Sequence, residues 1–184
     1  MQKDIDIIIY GATGFTGQLC VKYFQSLNTD VNWAIAGRDQ DKLQKVASDN
    51  SVDVEIIIAD SDDEVALDIL TSRAKVILST TGPFHRYGSK LVASCVKNST
   101  NYVDITGENF WVKGLIAKHH EEASAKGIRI IPSCGYDSIP SDLGVFYSAK
   151  TLNKPIKRIE SFHSWEGGAS GGTLETMFSM GDLD

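Results

Sequence analysis

The chain has 184 residues, room for one full α/β domain and little more. Its 42% hydrophobic and 23% charged residues suit a chain that buries a sizeable core, and a net charge of −6 without any basic stripe argues against nucleic acid as a partner. No apolar run approaches the roughly 18–20 residues that cross a bilayer, and Met1–Asp4 runs straight into an apolar segment without room for a signal peptide, so the expected compartment is the cytoplasm.

The first predicted strand is Ile5 to Ile9, and Leu19, Cys20, Tyr23, Phe24 and Leu27 recur at helical spacing shortly after it. Between them lies Tyr10-Gly11-Ala12-Thr13-Gly14-Phe15-Thr16-Gly17. A strand that turns through glycines into a helix gathers free backbone N–H groups and the positive helix end at one point, where a pyrophosphate can sit. Gly11 supplies the tight turn, Gly14 the room for phosphates and Gly17 the close packing of helix on strand. This strand–glycine–helix context, rather than the glycine pattern by itself, reads as a dinucleotide site.

The second predicted strand, Val31 to Ala36, ends in Gly37-Arg38-Asp39. A carboxylate here would accept from the ribose 2′-hydroxyl of NAD, whereas an arginine fork matches the 2′-phosphate of NADP. Arg38 favours NADP. Asp39 is either the competing carboxylate or the cap of the helix carrying Leu43, Val46 and Ala47.

After the third strand, Val54 to Ala59, Asp60 is placed to accept from an adenine amino group or to complement the next helix, where Ser61-Asp62-Asp63-Glu64 has capping-box spacing. The fourth strand, Lys75 to Ser79, leads into Thr80-Thr81-Gly82-Pro83-Phe84. There Gly82 admits the backbone to the cofactor, and Pro83 and Phe84 form an apolar wall near the nicotinamide. Tyr102 to Ile105 and Ile128 to Ile131 are the fifth and sixth strands, with a helix from Asn109 to Lys126 ended by Gly127. Six strands alternating with helices predict a doubly wound parallel sheet in the order 3-2-1-4-5-6, with ligands at the carboxyl ends of the strands.

At that edge Tyr87, Asp104, Glu108, Cys134, Tyr136 and Asp137 converge from separate segments, and Tyr87, Asp104, Cys134 and Asp137 are the catalytic candidates. Each also has a structural reading: Asp104 ties a loop, and Asp137 caps the helix that starts around Pro140 and carries Leu143, Val145, Phe146 and Ala149. Tyr147/Lys150 and Tyr87/Lys90 each fall one residue short of the tyrosine–lysine pair of short-chain dehydrogenases. His119-His120 lacks the spacing of a zinc helix, and the three cysteines support neither a disulfide framework nor a metal site. Cys20 and Cys95 read as small core residues, Cys134 as a loop residue.

Ile156, Ile159, Phe162 and Trp165 read as a strand, Gly167–Thr173 as a structure breaker, and Leu174–Met180 as an apolar pattern interrupted at Gly181-Asp182-Leu183-Asp184. The resulting division is a dinucleotide-binding domain over 1–150 and the start of a second, incomplete domain over 151–184.

These blocks together resemble the saccharopine dehydrogenase-like oxidoreductases, a family that includes saccharopine reductases and trans-acting enoyl reductases. The resemblance rests on GATGFTG (Gly11–Gly17), AGR (Ala36–Arg38), TTGPFHRYG (Thr80–Gly88), YVDITGE (Tyr102–Glu108), PSCGYDSIPSDLG (Pro132–Gly144) and SGGT (Ser170–Thr173). It implies a Rossmann NAD(P)-binding domain followed by a larger α+β domain, with Tyr87, Asp104 and Cys134 matching residues that line the substrate pocket of saccharopine reductases. The implied activity is hydride transfer between NADP(H) and a small-molecule or lipid-linked substrate. Its alternatives are a lipid enoyl reductase and a non-catalytic NADP-binding scaffold. A homodimer, or attachment to a lipid surface, through the portion beyond residue 184 completes the expected partners.

Overall fold

In the computed structural model, which describes residues 3–27, 29–152, 154–164, 166–168 and 170–181, six parallel strands form one sheet in the order β3-β2-β1-β4-β5-β6. The strands are β1 Ile5–Tyr10, β2 Trp33–Gly37, β3 Glu55–Ile58, β4 Ala74–Ser79, β5 Asn101–Asp104 and β6 Ile130–Ile131. The helices are α1 Phe15–Ser26, α2 Gln40–Asp49, α3 Glu64–Arg73, α4 Phe84–Lys97, α5 Asn109–Ala125, α6 Ile139–Leu152 and α7 Gly171–Gly181. The chain reverses between β3 and β4, so β1 and β4 lie side by side, with Tyr10 opposite Ser79. That adjacency opens a crevice at their carboxyl ends.

Strand pleating sends successive side chains to opposite faces, and the sheet is covered on both. Ile9 and Ile35 pack with Val21 of α1 and Leu43 and Val46 of α2. Ile8, Ile77 and Tyr102 pack with Leu67 and Leu70 of α3, Leu91 and Val92 of α4, and Trp111 and Leu115 of α5. Each fully buried Leu or Ile contributes about 1.5–3 kcal/mol, so these two layers hold the sheet. Cys95 is buried in the core, Cys20 and Cys134 are half-buried, and all three are free thiols.

The apolar face predicted for α1 is corrected. Gly17 and Val21 face the sheet, whereas Leu19 and Tyr23 are 52% and 62% exposed, because the close approach at Gly17 fixes which side of the helix meets β1. The cap of α3 is Asp63 rather than Ser61, its carboxylate accepting from the Val65 and Ala66 N–H groups. The predicted strand at 156–165 is replaced by irregular chain over 154–164: its apolar residues recur every third position, which builds no strand face, and Phe162 is 91% exposed. Trp165 and Ala169 fall outside the described residues, as do Met1, Gln2 and Asp182–Asp184. The glycine run does not exclude helix either: α7 begins inside it at Gly171, with the Ser170 hydroxyl accepting from the Thr173 N–H at 3.3 Å. No helix among the described residues is long and apolar enough to cross a membrane.

Candidate functional site

The crevice beside β1 is a cleft of about 330 Å³ walled by the β1–α1 corner, the ends of β2 and β3, the β4–α4 corner and the start of α7. A groove of about 360 Å³ lies elsewhere, between α5 and β6. Its walls are mainly apolar, and the chemistry-bearing residues of the sheet edge lie away from it.

At the β1–α1 corner two glycines stand where no side chain fits. Gly11 has φ +86°, and a Cβ there would lie 2.3 Å from Thr81 Oγ1. A Cβ on Gly17 would lie 2.2 Å from the Gly11 carbonyl oxygen and 2.8 Å from Ala12 Cα. The Gly11 N–H donates to Ala36 O at 2.9 Å, pinning the turn to β2. The helix opens at Gly14 with no side-chain cap, so the N–H groups of its first turn, which lack intrahelical partners, remain available beside the cleft. Thr81 Oγ1 is buried there without a hydrogen-bond partner among the described residues. Free amides, a helix N-terminus, two positions closed to Cβ and an unpartnered hydroxyl fit a pyrophosphate-bearing cofactor.

At the end of β2 Arg38 and Asp39 have different surroundings. Asp39 is the α2 cap: its carboxylate accepts from the Lys42 N–H at 3.1 Å and pairs with Lys42 Nζ at 3.2 Å. The Lys42 N–H bond, with the Lys42 side chain, holds the Asp39 carboxyl below its ordinary pKa. Arg38 is exposed and lines the cleft with Gly37 and Ser61. Asp60 Oδ1 accepts from the Asp62 N–H at 2.9 Å and lies outside the cleft lining, where Ser61 stands instead.

Of the expected cofactor residues, Gly11, Thr13, Gly14, Phe15, Thr16, Arg38, Thr81 and Gly82 line the cleft. Ala12 and Gly17 are buried beneath it. Pro83 and Phe84 are also buried rather than presented as a wall, Phe84 stacking on Trp111 at 5.9 Å between ring centroids. Tyr87 lines the cleft alone among the catalytic candidates.

Asp104 is buried and ties loops together. Its carboxylate accepts from the Tyr102 hydroxyl (2.8 Å) and from the Thr106 and Ser133 N–H groups (3.0 Å each). Burial raises its pKa against those bonds, and burial likewise pushes the Tyr102 phenol well up. Cys134 Sγ donates to Ile131 O at 3.3 Å, its thiol pKa raised by burial and by Asp104. Asp137 is exposed on the following turn.

Tyr10, Gly37, Ser61, Thr80, Ser170, Gly172 and Glu175 also line the cleft and were not among the expected cofactor or catalytic residues. Ser61 was findable, since it follows a strand at the carboxyl edge. Ser170 and Gly172 lie in the SGGT block, whose sequence reads only as a break between elements, and Glu175 of α7 follows no strand of the sheet. Among the described residues no His/Cys/Asp/Glu cluster could hold a metal ion.

The family model described as "Saccharopine dehydrogenase NADP binding domain" matches residues 7–131. A trans-acting enoyl reductase of Mycobacterium leprae is 40% identical over 148 residues, covering 79% of this chain and 35% of that protein. A saccharopine dehydrogenase-like oxidoreductase of Mus musculus is 35% identical over 185 residues, covering 92% of this chain and 43% of that protein. The chain thus spans less than half the length of these curated relatives. Among solved structures, apo histidine-tagged saccharopine dehydrogenase (L-Glu forming) from Saccharomyces cerevisiae superposes with a TM-score of 0.66 at 20% identity, over 79% of this chain and 31% of that one, a likeness of fold.

Proposed function

The chain belongs to the saccharopine dehydrogenase NADP-binding domain family, and from that premise we propose that it binds NADP(H) in the cleft beside β1 as the cofactor-holding part of an NADP-dependent oxidoreductase. The observation that carries the reading is the pairing of an uncapped α1 N-terminus, closed to side chains at Gly11 and Gly17, with a free Arg38 whose acidic neighbour is occupied as a helix cap.

In this reading the first-turn amides of α1 hold the pyrophosphate, and Arg38, with Ser61 beside it, holds the 2′-phosphate. Thr81 and Gly82 stand against the nicotinamide half, with Tyr87 on the adjoining turn. When bound, the nicotinamide supplies or accepts the hydride, and the protein groups bind and orient. The substrate is a small or lipid-linked molecule. Residues 151–184 begin a unit that adds Ser170, Gly172 and Glu175 to the cleft wall, and the protein works in the cytoplasm, as a homodimer through regions outside this chain.

Titration calorimetry tests the cofactor assignment. NADPH is expected to bind at least about tenfold tighter than NADH, and Arg38→Ala to remove most of that preference, since a charge-assisted pair contributes about 1.5–3 kcal/mol. Equal affinities in the unmodified chain would overturn it.

The 40% identity to proteins named trans-acting enoyl reductases favours, as a second reading, reduction of an enoyl C=C bond. Oxidation of NADPH by a protein of full family length, with enoyl thioesters rather than imines or ketones as acceptors, is its expected sign.

A further inference from the structure

We propose that Glu108 is a positioning residue for the cofactor cleft: from the loop after β5 its buried carboxylate caps α4, and so sets where the β4–α4 corner stands. The inference rests on the NADP-binding reading and extends it to a residue that does not line the cleft.

Helix α4 lacks a cap of its own. Its N-cap position is Pro83, it has no local side-chain cap bond, and its first turn contains no acidic residue. Unpaired N–H groups there would be costly, because Phe84 is buried. Glu108, 1% exposed, supplies what is missing. Its Oε1 accepts from the Phe84 N–H at 2.8 Å, and its Oε2 accepts from the His85 N–H at 2.7 Å and meets His85 Nδ1 at 2.7 Å. A buried carboxylate is tolerated only when it is paired or well hydrogen-bonded, and a helix N-terminus is where such a charge is stabilised.

Glu108 is itself held. Its N–H donates to Thr106 Oγ1 at 3.1 Å, and Thr106 is tied through its own N–H to Asp104. One chain of bonds therefore runs from the loop after β6, through the loop after β5, to the first turn of α4. The corner so fixed carries Thr81, Gly82 and Tyr87, three residues of the cleft wall. The opposite end of the cleft, at Arg38 and Ser61, lies outside this chain of bonds.

The test uses two ligands that divide the cleft, NADPH and its adenosine fragment 2′,5′-ADP, with the unmodified chain and Glu108→Gln. The amide is isosteric but turns an NH2 toward one donor, which removes part of the cap. NADPH is expected to bind about tenfold more weakly to the variant and 2′,5′-ADP within about a factor of two of the original. Amide hydrogen exchange at residues 84–87 is expected to quicken about tenfold while that of α1 stays unchanged. Thr106→Val, one bond upstream, moves both readouts the same way by less, and it decides the matter should Glu108→Gln not fold. Equal weakening of both ligands would mark Glu108 as a general stabiliser and overturn the proposal, as would unchanged NADPH binding with unchanged exchange. An unmodified chain that binds neither ligand overturns the NADP reading and this one together.

Discussion

At the β1–α1 corner the closest approach lies within the run Gly11–Gly17 itself, where Gly17 packs on the backbone of Gly11 and Ala12, whereas the β4–α4 corner across the cleft takes its helix cap from a residue 24 positions further along the chain. The first corner is specified locally, by what is absent from it. The second is specified at a distance, by what is buried beneath it. A wall of the first kind fails when a carbon is added at its closest approach, and one of the second kind fails when its tether is removed.

The largest expected effect follows from adding one carbon to the first corner. In Gly17→Ala the new Cβ meets the Gly11 carbonyl oxygen at 2.2 Å and Ala12 Cα at 2.8 Å, backbone atoms that move only with the whole turn. A stability loss of about 3 kcal/mol or failure to fold is expected, measured by urea denaturation. Near-normal stability would show that this corner yields, and the contrast between the two walls would collapse.

The same added carbon at the second corner is expected to cost less. In Gly88→Ala the Cβ meets Trp111 Cζ2 at 2.6 Å, but that neighbour is a ring at the end of a side chain, anchored by its Nε1–H donating to Ser89 Oγ at 2.9 Å. A loss of about 1–2 kcal/mol is expected by the same denaturation, with displacement of the ring seen in tryptophan fluorescence. A loss equal to that of Gly17→Ala would mean that the second corner is as rigid as the first.

The same division explains what could be read from the sequence. The strand order, the helix positions and the glycine corner follow from periodicity and from residues adjacent in the chain, which is why Ile8 and Ile9 could be assigned to a core strand without coordinates. The roles of Asp104 and Glu108 depend on which loops meet at the sheet edge, and that meeting is tertiary. Asp104 read as a pocket residue with loop-tying as its alternative, and the structure places it in the tie. The segment 156–164 adds a further point: apolar residues by themselves do not make an element, and here Ile159 and Phe162 stand exposed. Likewise α6, though rich in apolar residues, buries none of its side chains.

A smaller effect separates the two acidic readings at the end of β2. Asp39→Ala removes the α2 cap and should cost about 1 kcal/mol in thermal or chemical unfolding. Because the Asp39 carboxylate is spent on the Lys42 N–H, preference for NADPH over NADH should stay where it was. A marked shift of that preference would return Asp39 to the ribose and break the assignment of the 2′-phosphate to Arg38.

The smallest effect lies on the body of α4, away from both corners, and depends on pH. Asp68 of α3 pairs with Lys97 and accepts from Ser94 Oγ at 2.6 Å, latching α3 to α4. Those bonds, the Lys97 one first, hold its carboxyl below the ordinary value. A depressed folded pKa means that the stabilisation is fully present above the unfolded value of about 3.9 and is lost as pH falls through the folded one. Asp68→Asn is therefore expected to cost about 0.5 kcal/mol near neutrality, since the site is partly exposed, and the difference from the unmodified chain should shrink below about pH 4. Binding of NADPH should not change, because the latch fixes α4 to α3 and leaves its first turn to Glu108. A loss of NADPH affinity in Asp68→Asn comparable to that of Glu108→Gln would mean that the placement of α4 as a whole, and not its remote cap, sets the second wall.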